Sequence, residues 1–246
     1  MFVRALSLLA FVAVWQLASL GAGARLLPPP AEVLALLVEE AKTGSLLANL
    51  GVTLLRVLTA FALAMILGAL IGLAMGRSAR LDRAADSWLV ILLNLPALVV
   101  IVLCYIWFGL TEAAAILAVA LNKIPNTIVT IREGARAADR GLDDMAQVFQ
   151  LSRWTTFRQV LLPQLAPYLA AASRSGLSLI WKIVLVVELL GRPNGVGFEI
   201  GTAFQLFDVA RILAYAFAFI LVMLAIELLL VQPFERYTTR WRPRPA

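Results

Sequence analysis

The sequence predicts an all-α membrane protein with about six transmembrane helices. Three observations carry that class. First, 62% of the 246 residues are hydrophobic and the mean hydropathy is +0.90, against ~45–50% apolar residues in a soluble domain. Second, several apolar runs approach the ~20 residues that cross a bilayer as a helix. They are too long and too uniformly apolar for the alternating strands of a barrel, and only helices or closed barrels satisfy their backbone groups in lipid. Third, arginine is distributed unevenly between the loops. One compact transmembrane domain fills the chain and leaves no room for a soluble catalytic domain.

The spans follow in order. The first covers about residues 5–20, and the second about 53–75, with Gly68, Gly72 and Gly76 at every fourth position. The third, about 88–108, contains Asn94 and Pro96; the fourth, about 112–131, contains Asn122, Lys123 and Pro125. The fifth, about 168–190, carries Lys182 and Glu188, and the sixth, about 209–231, carries Glu227. Residues 1–24 thus hold the first helix, although Arg4, an apolar stretch and the small residues 21–24 also read as a cleavable signal peptide. Residues 25–50 form an external connector. Pro28, Pro29 and Pro30 break the first helix there, and 31–42 forms a short amphipathic helix with Leu34, Leu37 and Val38 on one face. Residues 51–235 are the membrane core, with a cytoplasmic loop at 132–163, and 236–246 are a basic tail.

Arginine fixes the orientation. Arg4 precedes the first span; Arg77, Arg80 and Arg83 follow the second; Arg132, Arg136, Arg140, Arg153 and Arg158 follow the fourth; Arg236, Arg240, Arg242 and Arg244 follow the sixth. The opposite loops hold only Arg25, Lys42 and Arg192, with Arg211 near an end. This is the positive-inside pattern, with both termini cytoplasmic in a multi-pass inner-membrane protein. It also explains the net charge of +6 without a nucleic-acid partner. The single cysteine, Cys104, excludes an internal disulfide, and the absence of histidine excludes a His-based metal or acid–base site.

The loop at 132–163 is the most informative stretch. Leu142, Met145, Ala146 and Phe149 recur at i, i+3, i+4 and i+7, an apolar stripe on a helix over 142–151. Asp143 and Asp144 occupy its first turn, where the helix dipole favours them. Ser152 caps a second helix carrying Trp154, Phe157 and Val160, and Pro163 and Pro167 lead back into the membrane. A loop that merely joins two spans needs no such order. The run Asp144-Met145-Ala146, with Gln150 six residues on from Asp144 and then Leu162-Pro163, resembles the "EAA loop" of importer-type ABC permeases. Asp144 stands for the usual glutamate and Gln150 for the usual glycine. Asn49 to Arg56, and 181–188 followed by Gly191 to Gly197, are similar to other parts of the same family, and residues about 26–235 resemble its nitrate/sulfonate/taurine/bicarbonate branch.

The resemblance implies the type I ABC importer permease fold with a cytoplasmic coupling helix. It implies cytoplasmic ATPase subunits that bind ATP and Mg, a periplasmic or lipid-anchored substrate-binding protein, and a second permease copy, giving a homodimer in the lipid bilayer. The contacts to the ATPase would be Leu142, Asp144, Met145, Ala146, Phe149, Gln150 and Arg153. No residue is expected to catalyse or to bind metal or cofactor; the chain lacks a G-x-x-x-x-G-K-[ST] loop. Polar groups inside spans give the candidate substrate pathway: Asn94, Asn122, Lys123, Asn126, Lys182 and Glu188. Lys123 suits an anionic solute, and equally suits a structural pair with Glu188 or Glu227, or a side chain snorkelling to the surface. Lys182 and Glu188 are about 120° apart on a helix, so they do not pair with each other. An ion-coupled secondary transporter and a non-transporting scaffold are the alternatives, and co-purification of an ATPase separates them.

Overall fold

The computed structural model describes residues 2–233, and among these every regular element is helical. The expected tail at 236–246 lies outside the described residues, as does the side chain of Arg4. Among the described residues, four helices are long and apolar enough to cross a membrane: Ser45–Arg77, Glu112–Arg136, Arg153–Gly191 and Val209–Leu229. The third expected span is broken. Residues 88–108 do not form one straight helix. α4 (Ala79–Asn94) and α5 (Ala97–Phe108) are bent by 97° at a break, as a broken span or a re-entrant loop. Pro96 is the cause: it keeps Leu95 extended (φ −69°, ψ 126°) and itself cannot continue the hydrogen-bond ladder.

The chain divides into two compact units. The first comprises Met1–Leu55 and Leu185–Leu224. Here α1 (Phe2–Ala22) and α2 (Pro30–Thr43) meet across the proline turn. The Trp15 indole donates to the Pro28 carbonyl at 3.0 Å and stacks on Phe217 of α11 (Val209–Ile226) at 5.2 Å. α2 starts on Pro30 as its first residue and stops at Gly44, whose φ of +84° is the left-handed end that glycine accepts. α3 (Ser45–Arg77) begins eight residues before the expected 53, so Asn49 and Thr53 are both helical.

α10 (Val196–Gln205) is set by a polar knot in the same unit. Its N-cap, Gly195, has no side chain to satisfy the free amides of the first turn. Three side chains from elsewhere do so. Asn49 Oδ1 accepts from Gly195 N–H at 2.7 Å, Thr53 Oγ1 from Val196 N–H at 2.9 Å, and the Glu188 carboxylate from Gly197 N–H at 2.8 Å. The Thr53 hydroxyl also donates to Glu188 at 3.0 Å. Gly195 sits at φ +108°, and a Cβ there would lie 2.5 Å from the Glu188 carboxyl; one at Gly197 would lie 2.2 Å from the Leu185 carbonyl oxygen. Asn49 also donates to Glu199, which meets Arg211, and Arg211 and the Tyr215 hydroxyl both reach Glu40.

The second unit comprises Arg56–Val184 and the chain from Ala225. Its centre is α6 (Glu112–Arg136), capped at its start by Thr111, whose hydroxyl accepts from Ala114 N–H at 3.2 Å. α3 lies against α6 at backbone distance. A Cβ on Gly68 would meet Thr127 at 2.6 Å, one on Gly72 the Ile128 carbonyl oxygen at 2.6 Å, and one on Gly76 the Ala135 Cβ at 2.6 Å. This is the small-xxx-small face, and it is a packing face. Ala64, Met75, Leu89, Ala120, Ile124 and Ile128 form the core beside it. Arg56 holds Glu112 with two bonds, at 2.6 and 2.9 Å. At the other end Arg132 reaches Asp86 at 2.6 Å and Asp82 at 3.4 Å, and Arg136 also pairs with Asp82, tying α4 to α6.

Because backbone cannot yield at the Ile128 carbonyl, Gly72→Leu should lower the stability of the detergent-solubilised chain by about 1–3 kcal/mol. Gly51→Leu, with nothing within 4 Å of its Cβ, should leave the unfolding midpoint within error in the same thermal scan.

Candidate functional site

The loop at 132–163 is built around α7 (Arg140–Val148), two residues N-terminal of the expected start. Asp139 is its cap, accepting from Gly141 N–H at 2.8 Å. Asp139 N–H in turn donates to the Gln164 side chain at 2.8 Å, fixing the helix start to α9 (Leu162–Gly191). Asp143 pairs with Arg77 at the end of α3. α7 is therefore tied to two membrane helices by side chains at its first turn.

Its other end explains Gln150. Leu151 N–H bonds back to the Ala146 carbonyl at 2.9 Å and Gln150 N–H to that of Gln147 at 3.0 Å. These are the two bonds of a Schellman stop, and Gln150 is the residue that must turn left-handed. It does so, at φ +50°. The substitution of glycine by glutamine thus keeps the turn and carries its strain. Ser152 then caps α8 (Arg153–Thr155), its hydroxyl accepting from Thr155 N–H at 3.1 Å. A π-helical turn, Thr156–Leu161, joins α8 to α9 without a break. Pro163 and Pro167, expected to lead back into the membrane, both lie within one continuous helix from Arg153 to Gly191. Pro163 lies just past the π turn, where Leu162 N–H already bonds five residues back to Phe157.

The expected apolar stripe is divided. Leu142, Met145 and Phe149 are exposed, as is Val148, but Ala146 is 3% exposed and turned into the chain. Phe149 is 71% exposed. Asp144, Gln150 and Arg153 are also exposed. Two clefts flank α7. One, of about 650 Å³, is lined by Arg77, Asp143, Ala146, Gln150, Arg153 and Phe157. The other, of about 350 Å³, is apolar and lined by Leu142, Met145, Val160 and Pro163.

The six pathway candidates do not converge. Asn94 and Asn122 each donate to a carbonyl of their own helix, Val90 and Ala118, both at 2.8 Å. Asn126 and Lys182 are exposed. Glu188 is fully buried and serves the start of α10. Lys123 is 1% exposed and donates to Ser175 Oγ at 3.2 Å. Its stem lies on Gly176, where a Cβ would meet Lys123 Cε at 2.7 Å. Among the described residues of its unit no carboxylate pairs with it; Glu227 is engaged by Arg174 at 3.7 Å. Sequence reasoning missed Arg174, Ser175 and Ser178, all exposed on α9. Their spacing to Lys182 is the signal that could have found them.

Relief of the left-handed strain at Gln150, less the backbone entropy of glycine, should make Gln150→Gly stabilising by about 1 kcal/mol or less. Gln150→Val, β-branched at the same φ, should lower the unfolding midpoint instead.

Comparison with known proteins agrees with this architecture. A solved chain of an amino acid ABC transporter, crystallised with histidines, superposes with a TM-score of 0.65 at 20% identity, covering 82% of this chain and 97% of its own. The putative aliphatic sulfonates transport permease of Escherichia coli is 32% identical over 94% of this chain and 89% of its own length. Its Bacillus subtilis counterpart is 30% identical over 94% and 84%. The profile of binding-protein-dependent transport system inner membrane components matches residues 64–232, from the middle of α3 to the end of the last helix, and the chain belongs to that family.

Proposed function

We propose that this permease imports a small anionic solute of the sulfonate type, as one of two identical copies, driven by cytoplasmic ATPases that grip α7. The observation that carries the reading is the loop. α7 is capped at both ends and pinned to α3 and α9, yet Phe149 and Val148 project from it almost uncovered. An apolar side chain so exposed on a rigid mount fits a helix-in-groove contact. ATP hydrolysis then belongs to the partner. Closure of the ATPase pair would move α7, and through Arg77 and Gln164 would move α3 and α9, alternating access to the path. The anionic class is supported by the two sulfonate permeases among its relatives, and by Lys123, a buried cation whose recorded partner is a hydroxyl. The external face would receive the binding protein.

Since Phe149 contributes little to the chain's own packing, Phe149→Ala should leave folding intact. Its cost should fall on the docking contact, about 2 kcal/mol, or roughly thirtyfold in affinity. Co-purification of the ATPase with the variant, and ATP-driven uptake of a labelled aliphatic sulfonate, test this. Undiminished recovery of ATPase and full uptake would reject the assignment. Ala146→Asp is a different experiment, because its charge would enter the chain's own interior and disturb α7 itself.

The orientation has its own check. A reporter active only in the periplasm, fused after Ala246, should be silent. Strong activity would reverse the assigned sidedness.

A further inference from the structure

α9 carries a feature that the coupling loop does not use. Arg174, Ser178 and Lys182 fall at i, i+4 and i+8, so they stand on one face. They span about 12 Å along the helix axis. All three are exposed, as is Ser175 beside them. They lie well inside a helix that is apolar enough to cross the membrane. Two cations and two hydroxyls on one face of a span are costly against lipid and call for water or protein in front of them.

A second observation points to a ligand. Lys123, on α6, is 1% exposed and directs its ammonium at Ser175 Oγ, from behind the same face. Gly176 leaves the space for its stem. Arg174, by contrast, is balanced by Glu227 at 3.7 Å. Lys182 has no ion pair among the described residues. The face therefore keeps a positive excess, set by Lys182 and by Lys123 behind Ser175, with hydroxyl donors between the charges.

We propose that the Arg174–Ser178–Lys182 face of α9, with Lys123 behind it, is the anion-lining surface of the translocation path. It takes a small singly charged oxoanion, such as a sulfonate head group. The inference rests on the importer reading above and names the surface that the solute meets. Its chemistry suits transit rather than capture. Serine hydroxyls and a spaced row of cations offer successive weak contacts, and Glu227 keeps Arg174 from holding the anion too firmly. A path must bind well enough to admit an ion and weakly enough to release it.

The test uses Cys104→Ala, which removes the sole cysteine, combined with Ser178→Cys. Membrane vesicles containing the permease and its ATPase are treated with a sulfonate-bearing or a trimethylammonium-bearing methanethiosulfonate, at rest and after vanadate trapping. The added mass on the permease is then read. The anionic reagent should react faster by about tenfold or more, and Lys182→Met in the same background should reduce that preference. Ala171→Cys, three residues before Arg174 on the same face, is the second probe should Ser178→Cys assemble poorly. Equal rates, a faster cationic reagent, or no reaction at either position in either state would overturn the proposal. The Cys104→Ala complex separates the two readings. If it shows no ATP hydrolysis stimulated by a binding protein, the importer reading itself fails. If hydrolysis is stimulated and the probes are unreactive, only the assignment of this face falls.

Discussion

The close approach of α3 to α6 is the contact on which the second unit depends. Three glycines, one per turn, remove the side chains that would otherwise hold the two backbones apart. In lipid there is no hydrophobic drive to press helices together, so contact must come from fit. The fit here is made by Thr127, Ile128 and Ala135 filling the space left by Gly68, Gly72 and Gly76. Once α3 and α6 are in register, the ends of both helices nearest the 132–163 loop are fixed too. That places Arg77 at the end of one and Arg132 and Arg136 at the end of the other.

From those ends the order spreads into the loop. Gly134 of α6 lies under Tyr168 of α9, where a Cβ would meet the ring at 2.6 Å. Ala135, Leu161 and Leu165 close a small apolar cluster beside it. Gln164 then holds the start of α7, and Arg77 holds its first turn. A push on α7 therefore meets two membrane helices through short, direct links. A flexible loop would absorb the same push. The Schellman stop at Gln150 belongs to this mechanics, since it ends α7 sharply and sets the direction of α8.

Much of this was legible in the sequence, and the limits have physical causes. The long apolar runs, the glycine spacing and the Ser152 cap are local signals, and each appears in place. The break at Leu95-Pro96 was visible as a proline, but sequence spacing does not say whether a proline kinks a span or folds it back by 97°. The start of α7 was misplaced because Asp139 is its N-cap, the carboxylate accepting from Gly141 N–H, while Asp143 pairs with Arg77. The inward turn of Ala146 was invisible because a small apolar residue suits either side of a stripe. At Gln150 the sequence shows only a departure from the usual glycine. The backbone shows the turn retained, because two hydrogen bonds impose it on whichever residue is there.

The intramembrane polar residues show why composition alone could not sort pathway from scaffold. Glu188 stood among the pathway candidates and as a possible structural partner of Lys123. It is instead a full set of acceptors for a helix start, taking bonds from Thr53 and Gly197. A carboxylate placed at the positive end of α10 is stabilised where it lies, and it is enclosed with no exposed surface. Lys123 is enclosed to nearly the same degree and has no such set among the described residues of its unit; it donates to one hydroxyl on an exposed face. Burial therefore does not distinguish the two residues, but partner count does. A buried charge whose bonding capacity is filled by its own fold is part of the frame. One whose capacity is left over, and which lies behind an exposed row of like charge, is the kind of group that we propose a solute meets.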